Sequence, residues 1–299
     1  MAPHQQHARE LRLRLPYAVI AGVGGIALFA AAALTAVGPQ PKVSELTLEL
    51  IVTNKRVALE VAGAVINGLG LVALGLTLNF VGRAAQERRP QMTQAPRLTA
   101  LAGGAIGAVG GIAYGIAIAI KSHQFVTSAG ALSYVQANSL VGGGTLAVLQ
   151  YLGLVGSLLL AIAFVLVSLN AMRVGLLTRF LGYLGIVAAA ASLLLIGSAP
   201  ALLVEVFWLL AIAYLLSGRW TSGEPEAWAK GEAVPWPSSA EMREQRQRAG
   251  GARGNARGNA RAKPQSRTPA KPASPDSEPA TTVVRTRAST PKRKRKRRK

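Results

Sequence analysis

Glu60 and Glu205 are the two carboxylates of this chain that fall within, or at the ends of, its long apolar runs. A carboxylate is costly to carry into a bilayer, so each is a functional candidate by default, and the chemistry it offers is the holding of a proton or a cation. Asn67 follows Glu60 by seven residues and so shares its helical face, and Ser157 stands in the same relation to Gln150. Glu60, Asn67, Gln150 and Glu205 therefore form a candidate set facing one polar vestibule. A plainer arrangement competes with it. Arg56 precedes Glu60 by four residues, the spacing of a helical ion pair, and amides commonly hydrogen-bond between packed helices.

Other chemistries find few residues. The absence of cysteine removes disulfides, thiolate metal sites and cysteine nucleophiles. His4 and His7 fall in an N-terminal segment expected to be flexible, and His123 stands alone in a loop, so histidine assembles neither a metal triad nor a general-base constellation. The run "GGAIGAVGG" at 103–111 lacks the lysine and the Ser/Thr of a phosphate loop. The expectation is a protein that is not an enzyme, with no catalytic residue, metal ligand or cofactor.

The elements that must carry these residues are read from hydrophobic length. A hydrocarbon core of about 30 Å needs about 20 apolar residues in a helix. Residues 17–37, 57–82, 98–120 and 146–169 meet that requirement. The stretch 180–217 is too long for one span and carries "GSAP" at 197–200, where proline breaks a helix. It reads as a hairpin of 180–197 and 201–217, either two short spans or a re-entrant pair. Composition agrees: the 299 residues are 50% hydrophobic and 16% charged, with mean hydropathy +0.30, too apolar for a soluble domain. The first run exceeds the apolar region of a secretory signal and reads as an uncleaved anchor. The predicted fold class is therefore all-α, a polytopic bundle of six spans over 17–217.

Orientation follows from the basic residues of the short loops. One side carries Arg9, Arg12, Arg14, Arg83, Arg88, Arg89, Arg97, Arg173 and Arg179, and the other carries Lys42, Lys55, Arg56 and Lys121. The richer side is the cytoplasmic one, which places residues 1–16 and everything after 217 in the cytoplasm and the protein in a plasma membrane. Glu60 and Glu205 then lie toward the outer face. Of the outer loops, 38–56 alternates apolar and polar positions and predicts a short amphipathic segment, while 121–145 holds Gly142, Gly143 and Gly144.

The third span carries Gly103, Gly107, Gly111 and Gly115, a stripe at four-residue spacing that lets helix backbones approach closely. It serves either packing inside the bundle, the expected use because neighbouring spans are available, or a homo-oligomeric interface around a pore.

Beyond the spans the charge changes. Residues 1–217 carry +7 and residues 218–299 carry +14 of the chain's +21. Residues 218–250 place Trp220, Trp228 and Trp236 among Pro and Gly. Arg219 and Trp220 read as an anchor at the headgroup level, and Trp228 and Trp236 either lie along the membrane surface or pack on the cytoplasmic loops. Ser238 and Glu241 form a capping box that predicts a short helix ending at Gly250 and Gly251. Residues 251–299 lack apolar periodicity and are rich in Pro, Arg, Lys, Ser and Thr, the composition of a disordered arm.

That arm ends in eight consecutive bases: Lys292, Arg293, Lys294, Arg295, Lys296, Arg297, Arg298 and Lys299. Such a run binds polyanions, whether anionic lipid, RNA or DNA, or an acidic protein. No aromatic residue interleaves it to stack bases, which argues against a dedicated single-strand reader. Phosphorylation of Ser289, Thr290 or Thr268 would weaken its attraction to a membrane.

The runs "NAMRVGLLTRFLGYLGIV" (170–187), "FWLLAIAYLLSGRW" (207–220) and "EAWAKGEAVPWPSSAEMREQR" (226–246) carry a resemblance. Over about residues 146–248 the chain resembles the C-terminal half of a family of uncharacterised multi-pass membrane proteins found widely in actinobacteria. The resemblance implies a bacterial plasma membrane and an intracellular "PWPS" segment, and the last fifty residues depart from it. That family has no assigned activity, so no site residue carries over. Two functions remain as expectations: a non-enzymatic scaffold whose tail binds anionic lipid or another polyanion, or a small transporter or channel built on Glu60, Glu205 and the glycine-striped helix.

Overall fold

The apolar runs become helices of a single bundle. The structure, a computed structural model, describes residues 3–37, 45–128, 130, 132–194, 199–221, 223–236, 241 and 243. In chain order the helices are α1 (Pro3–Ala36), α2 (Leu46–Lys55), α3 (Val57–Arg88), α4 (Ala95–Thr127), α5 (Tyr134–Val141), α6 (Gly144–Arg173), α7 (Arg179–Leu194), α8 (Ala199–Leu216) and α9 (Glu226–Lys230). Four stretches, His7–Ala36, Val57–Arg88, Ala95–Thr127 and Gly144–Arg173, are long and apolar enough to cross a membrane. At 1.5 Å per residue, the 16 residues of α7 and the 18 of α8 reach only about 24 and 27 Å. Pro200 falls in the first turn of α8, where a missing N–H has no intrahelical partner to lose.

Several boundaries differ from those read off the sequence. The segment 1–16, expected to be flexible, is helical from Pro3 onward, because its Gln, Arg, Glu and Leu are good helix formers and Glu10 is held by Arg88 on α3. The 38–56 loop contributes α2, and the 121–145 loop contributes the end of α4 and α5. Ser133 caps α5 by accepting from the Gln136 N–H. Leu50 of α2, Phe125 of α4 and Ala137 of α5 make a small apolar cluster of their own. Lys42, the break at Gly197 and Ser198, Ser238 with most of the helix expected after it, and the arm 251–299 with Lys292–Lys299 lie outside the described residues.

The long helices and the α7–α8 hairpin close into a ring. Packing runs α1 on α3, α3 on α4, α4 on α6, α6 on α7, α7 on α8 and α8 back on α1, with α3 and α6 also touching. Glycine makes the tightest of these contacts. A Cβ added at Gly75 would lie 2.6 Å from the Ala100 carbonyl, and one at Gly110 would lie 2.6 Å from the Gly153 nitrogen, so α3–α4 and α4–α6 meet backbone to backbone. The predicted stripe divides along its length. Gly103 and Gly107 face Gly156 and Leu160 of α6, Gly115 faces Ala64 of α3, and Gly111 has no neighbour within 4 Å of its Cβ position.

The ring has two unlike ends. At the proximal end, where α1 begins and α8 stops, the interior is filled by Leu74, Leu78, Phe80, Val81, Phe164 and Trp208, all buried. Phe164 and Trp208 meet edge to face at 4.6 Å, and Trp208 Nε1 donates to the Leu181 carbonyl at 3.1 Å. At the distal end, where α1 stops and α3 begins, the ring is open inside.

Candidate functional site

The distal half of the ring holds a cavity of about 760 Å³ to which all six ring helices contribute. Its polar lining includes Glu60, Asn67, Ser157 and Glu205, and Gly111 and Gly115 form part of its wall. Three of the four polar candidates read from the sequence therefore meet in one space. The fourth, Gln150, is exposed and lies outside the lining, although Ser157, its partner by spacing, lies within it. Seven residues align two side chains in direction, but Gln150 sits two turns nearer the start of α6.

Glu60 stands in the first turn of α3, where a carboxylate also favours the helix dipole. Arg56, at the junction of α2 and α3, pairs with it at 2.6 Å and donates to the Thr35 carbonyl at 2.7 Å. That carbonyl belongs to the last turn of α1, whose acceptors have no helical partner. The pair is thus a staple from α3 to the end of α1, and the charge of Glu60 is already answered.

Glu205 is differently placed. It lies half-buried on α8, and the hydroxyl of Ser192 on α7 donates to it. The same hydroxyl lies 2.8 Å from the Ala188 carbonyl, and since it has one proton it serves one acceptor at a time. Among the described residues no Lys, Arg or His pairs with Glu205. Asn67, half-buried on α3, has no hydrogen-bond partner among them either. Around these groups the wall is largely apolar, with Leu28, Leu71, Ile118, Leu160 and Leu202, and two aromatic rings, Tyr114 and Phe164, complete it. Below Leu28, Leu71 and Phe164 the packed proximal core closes the space.

No protein-family model, curated protein or solved structure matches this chain. A desolvated carboxylate whose partner among the described residues is a hydroxyl is a binding group for positive charge, and no cluster of three or more His, Cys, Asp or Glu suited to a metal ion occurs among those residues.

A second polar assembly closes the proximal end. Residues 223–236, which follow α8, fold back across the bundle. Trp228 is fully buried, with the Arg14 guanidinium 4.8 Å and the Arg88 guanidinium 5.2 Å from its ring centroid, and its Nε1 donates to the Leu176 carbonyl at 2.8 Å. Arg88, its side chain fully enclosed, donates to both Glu10 oxygens at 2.8 and 3.1 Å and to the Ala227 carbonyl at 2.7 and 3.0 Å. Arg14 pairs with Glu224.

Further along, the Val234 N–H donates to the Val174 carbonyl at 3.1 Å and Trp236 Nε1 to the Leu177 carbonyl at 2.8 Å. Of the two arrangements open for Trp228 and Trp236, the structure has them packed on the bundle. Trp220 is half-buried and tilts against Tyr214 at 5.7 Å, while Arg219 is exposed. The stack of Tyr17 on Phe80 at 4.2 Å, and of Phe80 beside Trp228 at 6.2 Å, joins this strap to the core beneath the cavity.

Tyr114, Phe164 and Ser192 were missed by reasoning from sequence. For Tyr114 a signal exists: it lies on α4 between Gly111 and Gly115 of the glycine stripe.

Proposed function

We propose that this chain is a non-enzymatic, six-span protein of a bacterial plasma membrane, with both ends cytoplasmic, that takes a small solute into an outward-facing vestibule and transports it. The observation that carries this reading is the cavity of about 760 Å³, inside a ring of apolar helices, that holds Glu205, a carboxylate with no basic partner among the described residues. Orientation is supported by basic residues: Arg9, Arg12, Arg14, Arg83, Arg88, Arg89, Arg97, Arg173 and Arg179 belong to the proximal end, against Lys55, Arg56 and Lys121 at the distal end. The test is flux across vesicles holding the purified chain, read by a trapped pH-sensitive dye as cations are offered outside. Glu205→Gln is expected to abolish proton- or cation-coupled flux, and unaltered flux in the Glu60→Gln, Glu205→Gln pair would sink the transport reading.

A second reading rests on the eight bases Lys292–Lys299. Near an anionic leaflet each is worth about 1 kcal/mol, so the arm works as a scaffold element that holds anionic lipid, with RNA, DNA or an acidic protein as competitors. Deleting 292–299 is expected to reduce salt-sensitive binding to anionic vesicles, and no change there or with RNA would refute it.

A further inference from the structure

We infer that the ligand of the distal vestibule is an organic monocation with an apolar body, and that Glu205 is its counter-ion. The inference rests on the transport reading above and adds the chemical class of the solute.

Charge decides the first part. The lining has two carboxylates, and Arg56 answers Glu60 at 2.6 Å, which leaves one formal negative charge, that of Glu205, for a ligand. The remaining polar lining is neutral: Thr35, Asn67, Tyr114, Ser157 and Ser192. A single desolvated carboxylate matches one positive charge, whereas a dication would leave one charge uncompensated in an apolar site.

Size and wall chemistry decide the second part. An inorganic ion needs a close ring of oxygens to replace its hydration shell. Here the polar groups are spread over α1, α3, α4, α6, α7 and α8 around a space of about 760 Å³, the size range of sites for organic ligands. Leu28, Leu71, Ile118, Leu160 and Leu202 offer apolar surface, and the rings of Tyr114 and Phe164 are surfaces that ammonium and related cations contact favourably.

Ser192 supplies a device for entry. Its hydroxyl has the Glu205 carboxylate and the Ala188 carbonyl as alternative acceptors. When a cation reaches Glu205, the hydroxyl turns to Ala188, and both carboxylate oxygens face the ligand with no buried donor left unpaired.

The test uses radiolabelled tetraphenylphosphonium, with neutral triphenylphosphine oxide as competitor, on the full chain in uncharged detergent. The unaltered protein is expected to bind the cation with little competition from the neutral oxide. Glu205→Gln is expected to weaken binding by at least about tenfold. Gly111→Phe, whose ring enters open cavity space, is expected to block it. Binding that survives Glu205→Gln but is lost in Gly111→Phe, or equal displacement by the oxide, overturns the monocation class and leaves the vestibule reading standing. Binding that ignores Gly111→Phe places the cation outside the cavity and overturns the monocation class. No binding to the unaltered chain overturns the monocation class alone, since the flux assay still judges transport.

Discussion

At the scale of single residues, two carboxylates of the same cavity have opposite uses, and mutation separates them by sign. Glu60 compensates Arg56, so Glu60→Gln leaves a buried guanidinium short of its counter-charge and is expected to destabilise the chain by roughly 1–3 kcal/mol. Among the described residues Glu205 has a hydroxyl as its partner and no base, so Glu205→Gln removes a desolvated charge and is expected to leave stability unchanged or slightly raised. Thermal unfolding in detergent reads both, and a loss with Glu205→Gln comparable to that with Glu60→Gln would contradict the assignment. Arg88 is the severest test. Its removal strands Glu10, the Ala227 carbonyl and the face of Trp228 together, and Arg88→Met is expected to cost about 3–5 kcal/mol.

Spacing made part of this visible beforehand. Glu60 and Asn67 share a face because seven residues make two turns, and Arg56–Glu60 is an ordinary i,i+4 pair. Nothing local could bring Ser192 to Glu205, 13 residues and a helix hairpin away, or Trp228 to Arg14 and Arg88. Those meetings depend on how the ring closes, which periodicity does not encode. Gln150 illustrates the converse: its polarity made it a candidate, and its level on the helix leaves it exposed.

At the scale of elements, apolar length located each ring helix to within about four residues at most boundaries, with α3 and α4 running on to Arg88 and Thr127 past the expected 82 and 120, because long apolar runs have few alternatives to a helix. The exception is α1, whose polar first turns were set aside as a flexible end. They are held by contacts to α3 and to the strap, including His7 beneath Gly231, where an added Cβ would lie 2.8 Å from Nδ1. The strap itself hangs on a turn. Gly175 has φ +77, the left-handed region that glycine favours, and a Cβ there would run into the Val234 carbonyl. Gly175→Ala is therefore expected to loosen residues 223–236 and expose Arg88 and Trp228. Limited proteolysis at Lys230, the basic residue of that segment, should show faster cutting than in the unaltered chain, and equal rates would count against the strap. The α4–α6 contact is equally intolerant: Gly156→Leu would press a side chain into the Gly107 backbone and is expected to prevent stable folding.

At the scale of the whole molecule, the asymmetry between ends carries the account. Aromatic packing, two buried arginines and the strap close the proximal end, while the distal end keeps an unfilled interior and a carboxylate, Glu205, with no basic partner among the described residues. A scaffold alone has no need of such a space, since apolar side chains would fill it and add stability. In the proposed transporter this space is wet and opens outward. Because the chain has no cysteine, Gly111→Cys introduces its sole thiol into the vestibule wall without touching a neighbour. Right-side-out and inside-out membrane vesicles would be treated with a charged, membrane-impermeant methanethiosulfonate reagent. Rapid labelling is expected in right-side-out vesicles and little in inside-out ones. Labelling from the cytoplasmic side, or from neither side, would contradict an outward opening.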